Sequence, residues 1–175
     1  MTTLREDPLL GVARAILTFL IGLAIVVGTL LALAVPFIIF NQARVAEEFA
    51  KTASQPGGEL VGAILVVLVL VVALAALSFL FVRHLRRIVD TVRQGDPFIP
   101  QNAARLRSMA WLSIVMQAVA LTAGALTIWL EEATKDFEAN FDISIGGILL
   151  PLVLFILARV FRRGAAMREE LEGTV

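Results

Sequence analysis

Three polar residues, Ser113, Gln117 and Thr122, interrupt an otherwise aliphatic stretch of the sequence. In a helix, Ser113 and Gln117 would share a stripe with the small residue Gly124, because side chains three and four positions apart lie on one face. Gln117 is the most polar of them, and its amide must either hydrogen-bond to a neighbouring helix or line a cavity for a solute or ligand. We expect interhelical hydrogen bonding, and the solute cavity is the alternative.

Other residue types that carry out chemistry are scarce. The chain has no cysteine and a single histidine, His84, so the sequence offers no thiol nucleophile, no thiolate metal site and no multi-histidine metal site. His84 lies among arginines, where we expect an interfacial role. Glycine-rich phosphate loops and the HExxH and GxSxG motifs are also missing from the sequence. We therefore predict a protein that is not an enzyme and that binds no cofactor.

A group of acidic residues follows the polar stretch: Glu131, Glu132, Asp136, Glu138 and Asp142. Their spacing does not match a calcium-binding loop, in which the ligands recur at alternate positions. We expect these side chains to form a solvated face and to hold no metal ion.

The elements that must position these residues are four long apolar runs. Each run is close to the roughly 20 residues that a helix needs to cross about 30 Å of hydrocarbon. The chain is 59% hydrophobic with a mean hydropathy of +0.89, more than the surface of a water-soluble domain tolerates. The runs lack period-two alternation, which excludes a β-barrel. We predict an all-α polytopic membrane protein, a four-transmembrane-helix bundle forming one integral domain over residues 1–175, with spans at about 16–40, 60–82, 109–130 and 143–161.

Lysine and arginine are distributed unevenly between the segments that flank these runs. Twelve of the 15 fall before the first run, between the second and third runs, or at the end of the chain, whereas Arg44, Lys51 and Lys135 fall in the other two loops. Because cytoplasmic loops are the ones enriched in Lys and Arg, we predict cytoplasmic termini, a cytoplasmic loop at 83–108 and a cytoplasmic tail at 162–175. Topology and anionic lipid already account for the arginines of this loop, so we expect no direct contact with nucleic acid.

The sequence changes from uniformly apolar to amphipathic after residue 82. Leu85 and Ile88 recur at helical spacing, and arginines occupy the other face. We predict that the second spanning helix continues as an amphipathic cytoplasmic connector until Gly95–Pro97 breaks it. Pro100 and Asn102 are start signals for the next helix.

The fourth apolar run is the shortest, because Arg159 follows after 16 residues. The side chain of Arg159 can extend to the interface, which lengthens the usable run to Phe161. If this run did not cross, the basic residues at the end of the chain would lie outside the cell, contrary to the charge distribution. We therefore predict that it crosses.

Two stretches of the predicted cytoplasmic side carry a family resemblance. TVRQGDPFIPQNAARLR at 91–107 and VFRRGAAMREELEGTV at 160–175 closely resemble the prokaryotic domain of unknown function 2975 family, and the likeness, with its four-span layout, covers essentially the whole chain. Members of that family are small integral membrane proteins without an established activity, often encoded beside a small helix-turn-helix regulator. The resemblance implies a prokaryotic cytoplasmic (inner) membrane and a role in tethering or sensing for such a DNA-binding protein.

We place the candidate docking surface for this partner on the two stretches that carry the resemblance. Both mix charge with apolar side chains, a composition that suits a protein contact. An alternative is that they only cap the helical bundle. The candidate docking residues are Gly95, Asp96, Pro97, Phe98, Asn102, Arg105, Arg162, Arg163, Arg168, Glu170 and Glu172.

Two other functions compete with a regulatory one. A small-solute transport or immunity-type protein would line its pathway with Ser113, Gln117 and Thr122. A structural subunit of a larger membrane complex would instead use small-residue stripes on its lipid-facing surface. Association of the chain with copies of itself is compatible with each of these functions.

Overall fold

The computed structural model of the chain describes residues 8–51, 56–134 and 146–172, with side chains up to Leu171. Four of the loop residues named above lie outside the described residues: Lys135, Asp136, Glu138 and Asp142. The side chain of Glu172 is likewise outside them. The fold class is confirmed as all-α, and the helices are α1 Pro8–Phe40, α2 Gln42–Ala50, α3 Gly57–Arg93, α4 Pro100–Thr134 and α5 Gly146–Glu172.

Three of these helices, α1, α3 and α4, are long and apolar enough to cross a membrane. Large apolar side chains remain uncovered along α1 and α5, where Phe19 is 69% exposed, Phe37 68% and Ile148 65%. Exposed apolar surface on this scale is typical of a chain whose solvent is lipid. The three helices are those of a membrane-embedded protein.

Helix α5 is not among the candidate spans of the described residues. It is 27 residues long, but Arg159, Arg162 and Arg163 all fall within its first eighteen residues. The start of the predicted fourth span, residues 143–145, lies outside the described part of the chain. The four-span count therefore stays a prediction.

The predicted loop at 83–108 is mostly helical, as its amphipathic pattern indicated. Helix α3 continues to Arg93 and α4 begins at Pro100, which leaves a short α3–α4 turn (residues 94–99). Gly95 has a φ of 87°, and the backbone N–H groups of Gly95 and Asp96 donate to the carbonyls of Val92 and Thr91. This arrangement is a Schellman motif, which ends a helix with a left-handed residue that is usually glycine. The predicted break at Gly95–Pro97 is confirmed.

The described chain divides into two compact units, and α1, α3 and α4 each contribute to both. The first unit contains the described parts of 1–23, 78–115 and 144–175. Its core consists of buried side chains from α3, α4 and α5: Ile88, Leu106, Met109, Ala110, Leu154 and Ala158.

The second unit contains the described parts of 24–77 and 116–143. Its core is smaller and joins Leu60 of α3 to Leu130 and Ala133 of α4, with Phe49 of α2 packed against them. Helix α2 approaches the start of α3 closely, since a Cβ atom on Gly57 would overlap the carbonyl oxygen of Ala46. This close approach admits no side chain larger than hydrogen at residue 57.

Candidate functional site

The two stretches that carry the family resemblance meet in the first unit. The α3–α4 turn packs against the second half of α5 through two contacts. Asp96 of the turn forms an ion pair with Arg168 of α5. The ring of Phe98 lies 5.2 Å, centroid to centroid, from the ring of Phe161 on α5. The fold therefore brings a turn at residues 94–99 onto a helix that begins about fifty residues later.

Phe98 fits this position because α5 carries a glycine beneath its ring. A Cβ atom at Gly164 would lie 2.7 Å from Cδ1 of Phe98, closer than real Cβ atoms approach their neighbours. The hydrogen of Gly164 leaves space for the ring to lie against the backbone of α5. Gly164 thus sets the distance between the α3–α4 turn and α5.

Asn102 anchors the start of α4 to the α3–α4 turn. Its side chain is fully buried. Its Nδ2 donates to Oγ1 of Thr91 at 2.7 Å and to the carbonyl of Pro97 at 2.9 Å. Its Oδ1 accepts from Nη1 of Arg105 at 2.8 Å, and the same guanidinium donates to the carbonyl of Arg87 at 3.2 Å. Both ends of the buried amide are therefore hydrogen-bonded, as burial of a polar group requires.

The predicted docking residues separate into two groups. Members of the first group make contacts within the unit, although three of them, Gly95, Phe98 and Arg168, are also exposed: Gly95, Asp96, Pro97, Phe98, Asn102, Arg105 and Arg168. The second group consists of residues whose side chains are exposed on α5: Arg162, Arg163 and Glu170, of which Glu170 also interacts with another residue.

A groove of about 520 Å³ opens between the first turns of α4 and the second half of α5. Small side chains form much of its lining, and two of them, Ala103 and Ala165, are buried. Charged groups stand beside them: Arg107 from α4, with Arg162 and Glu169 from α5. We call this the α4–α5 groove.

The sequence did not single out Arg107 or Glu169 as site residues. No local signal distinguishes Arg107 from the other arginines of its segment, because its place on the groove depends on how α4 and α5 pack. Arg162 is the predicted docking residue that the structure places on the groove lining.

The three polar residues of α4 fall in different units. Ser113 is buried in the first unit, where its Oγ donates to the carbonyl of Ala110 at 2.8 Å. Thr122 is in the second unit, and its Oγ1 donates to the carbonyl of Ala118 at 3.0 Å. Both hydroxyls are thus satisfied by their own helix, a common arrangement for Ser and Thr in membrane helices. Gln117 is half-buried in the second unit.

His84 lies just beyond the predicted span at 60–82, on the arginine-rich part of α3. Burial lowers the pKa of His84 below its usual value, and the positive charges of Arg87, Arg105 and Arg83 lower the pKa further. Its Nδ1 is buried and has no hydrogen-bond partner among the described residues. These surroundings favour the neutral imidazole. Across the described ranges, no three His, Asp or Glu side chains come close enough together to hold a metal ion.

Comparison with protein families matches the model of DUF2975, a protein of unknown function, to residues 56–175. The match includes α3, α4, α5 and the α3–α4 turn, and it begins after α2, so the predicted likeness is shown for this region. No curated protein and no solved structure matches the chain. The matched region is more than half of the 175 residues, and the chain accordingly belongs to the DUF2975 family of proteins of unknown function.

Proposed function

We propose that this protein is a non-enzymatic regulatory or sensory protein of a prokaryotic cytoplasmic membrane. In this proposal the basic segments face the cytoplasm, which places the α3–α4 turn and the second half of α5 there. The protein acts by holding a small helix-turn-helix DNA-binding protein at the membrane.

The α4–α5 groove is the observation that carries this proposal. It is lined from both stretches that carry the family resemblance, by residues between Pro100 and Arg107 of α4 and between Arg162 and Glu169 of α5, with the adjacent Ser108. A groove built from two separate stretches has a shape that neither stretch could present alone. Its lining holds small apolar side chains together with two arginines and one glutamate, so it offers a partner both apolar surface and charge.

The occupant that suits the groove is an amphipathic helix of the partner. Exposed small side chains such as Ala104 and Ala166 let a helix backbone approach closely, and helix-in-groove binding is a recurrent mode of recognition. Arg107 and Arg162 would pair with acidic residues of the partner helix, and Glu169 with a basic one. The two signs of charge fix the direction in which the helix lies.

The test is co-purification of the tagged full chain from detergent-solubilised membranes of its native host, with bound proteins identified by mass spectrometry. We expect a small helix-turn-helix protein to be recovered with the wild type. The double substitution Arg162→Glu/Arg163→Glu should abolish its recovery, because it reverses the charge beside the groove. Arg44→Glu is the matched control, since Arg44 is an exposed arginine on α2, in the second unit. Equal recovery with both variants, or no helix-turn-helix protein with the wild type, would contradict the proposal.

A further inference from the structure

A second cavity lies in the first unit, between α1 and α3. Its volume is about 310 Å³, and its lining comprises Ile21 of α1 with five residues of α3: Phe79, Arg83, Arg86, Arg87 and Asp90. We call it the arginine pocket. It shares no lining residue with the α4–α5 groove.

The pocket has far more positive than negative charge. Asp90 contributes its one carboxylate, and both carboxylate oxygens are engaged. Oδ1 lies 3.2 Å from Nε of Arg14, and Oδ2 lies 3.9 Å from Nε of Arg86. Arg83 and Arg87 form no ion pair with a carboxylate of the described residues. Two guanidiniums are therefore left to bind an anion.

The apolar side chains of the pocket lie toward one end, and Arg83 is the arginine nearest to them on α3, four residues or roughly 6 Å after Phe79. Arg14 pairs with Asp90, whereas Ile21 lies seven residues further along α1, roughly 10 Å away by helix rise. On α3, Phe79 lies eleven residues before Asp90, roughly 16 Å along the helix. The apolar end of the pocket continues into exposed apolar surface, where Leu23 is 47% exposed.

A ligand that matches this lining has an anionic head and an apolar body. A phosphate diester meets the first requirement, because guanidinium groups bind phosphate oxygens through charge-assisted hydrogen bonds. Acyl chains meet the second, since they can continue along α1 beyond Ile21. Basic pockets between membrane helices are recognised sites for phospholipid head groups.

We infer that the arginine pocket binds the phosphate of an anionic glycerophospholipid, with Arg83 and Arg87 as its principal ligands. Arg86 is paired with Asp90 and adds positive charge at the edge of the pocket. The lowered pKa of His84, to which Arg87 and Arg83 contribute, is consistent with a positive potential in this part of the unit. This inference concerns a site separate from the α4–α5 groove and goes beyond the proposed regulatory function.

Binding of defined lipids to the full chain tests the inference. The wild type, in a neutral detergent, is titrated with phosphatidylglycerol or phosphatidylcholine, and the dissociation constant of the first bound lipid is measured by native mass spectrometry. We expect phosphatidylglycerol to bind at least about tenfold more tightly. Equal affinity for the two lipids would overturn the inference without any variant.

Two variants locate the site. Arg83→Gln/Arg87→Gln should weaken phosphatidylglycerol binding about thirtyfold, taking roughly one kilocalorie per mole for each arginine at an anionic membrane. Ile21→Trp fills the apolar end without changing the charge and should also weaken binding. Arg162→Gln/Arg163→Gln removes the same charge from the exposed face of α5 and should change binding less than about twofold. If Arg83→Gln/Arg87→Gln and Arg162→Gln/Arg163→Gln lost the same affinity for phosphatidylglycerol, the lipid would be attracted by positive charge in general. That result would contradict a binding site in the arginine pocket.

Inorganic phosphate distinguishes a lipid from a soluble anion. If it displaces phosphatidylglycerol only weakly, the apolar end of the pocket contributes to binding, as the inference requires. If inorganic phosphate displaced phosphatidylglycerol at concentrations similar to those of the lipid, the pocket would be a site for soluble phosphate. The inference that it binds a lipid would then be refuted. Loss of helix-turn-helix recovery in Arg162→Glu/Arg163→Glu bears on the regulatory proposal alone, so the two proposals can fail separately.

Discussion

Asp96 and Arg168 form an ion pair that links the α3–α4 turn to α5 across 72 residues of sequence. The same region holds the packing of Phe98 on Gly164, so one polar and one apolar interaction fix the turn against the helix. Together they give the two family stretches a defined geometry, and with it the α4–α5 groove.

The ion pair should make a measurable but modest contribution to stability. Its side chains are 37% and 47% exposed, and ion pairs at such exposure contribute about 0.2–1 kcal/mol. We expect Asp96→Asn and Arg168→Gln each to lower the thermal unfolding midpoint in detergent. The double variant should lose less than the sum of the single losses. Strictly additive losses in the double variant would show that the two groups do not interact. The charge swap Asp96→Arg/Arg168→Asp restores an ion pair and should recover part of the stability that the neutral variants lose.

Gly164→Ala should destabilise the packing of the turn on α5. The new methyl group would overlap the ring of Phe98, which must then move away from Phe161, and overpacking of this kind costs about 1–3 kcal/mol. The second substitution Phe98→Ala removes the obstacle, so Gly164→Ala should cost little in that background. Gly62→Ala is the matched control, because a Cβ atom on Gly62 would meet nothing within 4 Å. Equal effects of the two glycine substitutions on the unfolding midpoint would rule out the overlap.

Asn102→Ala should be among the most destabilising polar substitutions in the first unit. It removes three hydrogen bonds from a fully buried side chain and leaves the carbonyl of Pro97 without this donor. Leaving buried groups unsatisfied costs about 1–3 kcal/mol each. Asn41→Ala serves as the control, since the Asn41 amide donates to the Phe37 carbonyl of the preceding turn in an exposed position. Comparable unfolding midpoints for the two variants would contradict the anchoring role of Asn102.

His84 should make the stability of the protein depend on pH. Burial first, and then the charges of Arg87, Arg105 and Arg83, hold the pKa of His84 below 6.5 in the folded chain. The unfolded chain therefore takes up the proton at a higher pH than the folded chain. The contribution of His84 to the free energy of unfolding is fully present above about pH 6.5. It is lost as the pH falls through the pKa of His84 in the folded chain.

Thermal unfolding between about pH 7.5 and about pH 5 measures this effect. The wild type should lose stability on acidification, and His84→Gln should lose distinctly less, because it has no imidazole to protonate. Carboxylates titrate in both proteins and cancel in the comparison. Identical pH profiles for the two proteins would show that His84 does not bind protons differently in the folded and unfolded states.

Local features of the fold could be predicted from the sequence because their causes are local. The apolar runs determine the long helices, and Gly95 with Pro97 and Pro100 determines where α3 ends and α4 begins. The extension of α3 to Arg93 also followed from the alternation of apolar residues and arginines. Residues within one helical turn of each other carry enough information for each of these assignments.

The packing of the α3–α4 turn on α5 could not be predicted, because it depends on the register between distant segments. Asn102 illustrates the limit. Its sequence position suggested a helix start signal, whereas the structure buries it as the link between α4, Thr91 and Pro97. Phe98 is a predicted docking residue, and the structure shows that its ring packs on Phe161 within the unit while the residue stays 42% exposed. Nothing near residue 98 in sequence identifies Gly164 as its partner.

The arginine pocket was also beyond sequence reasoning. From the sequence, Arg83, Arg86 and Arg87 are attributed to membrane topology and to attraction by anionic lipid, which account for their charge and not for their arrangement into a pocket. Ile21 belongs to a different apolar run, and its approach to α3 is a property of helix packing. A cluster of arginines at the end of an apolar run is the signal that could have suggested the pocket.

The side of the membrane on which the α3–α4 turn lies is the claim on which the regulatory proposal depends most directly. The chain has no cysteine, so single cysteines can be introduced at the exposed residues Gln94 and Arg44 and treated with a membrane-impermeant maleimide in intact cells. We predict that Arg44→Cys is labelled and that Gln94→Cys is labelled only after the membrane is opened. Labelling of Gln94→Cys in intact cells, with Arg44→Cys shielded, would place the turn outside the cell and contradict the proposal.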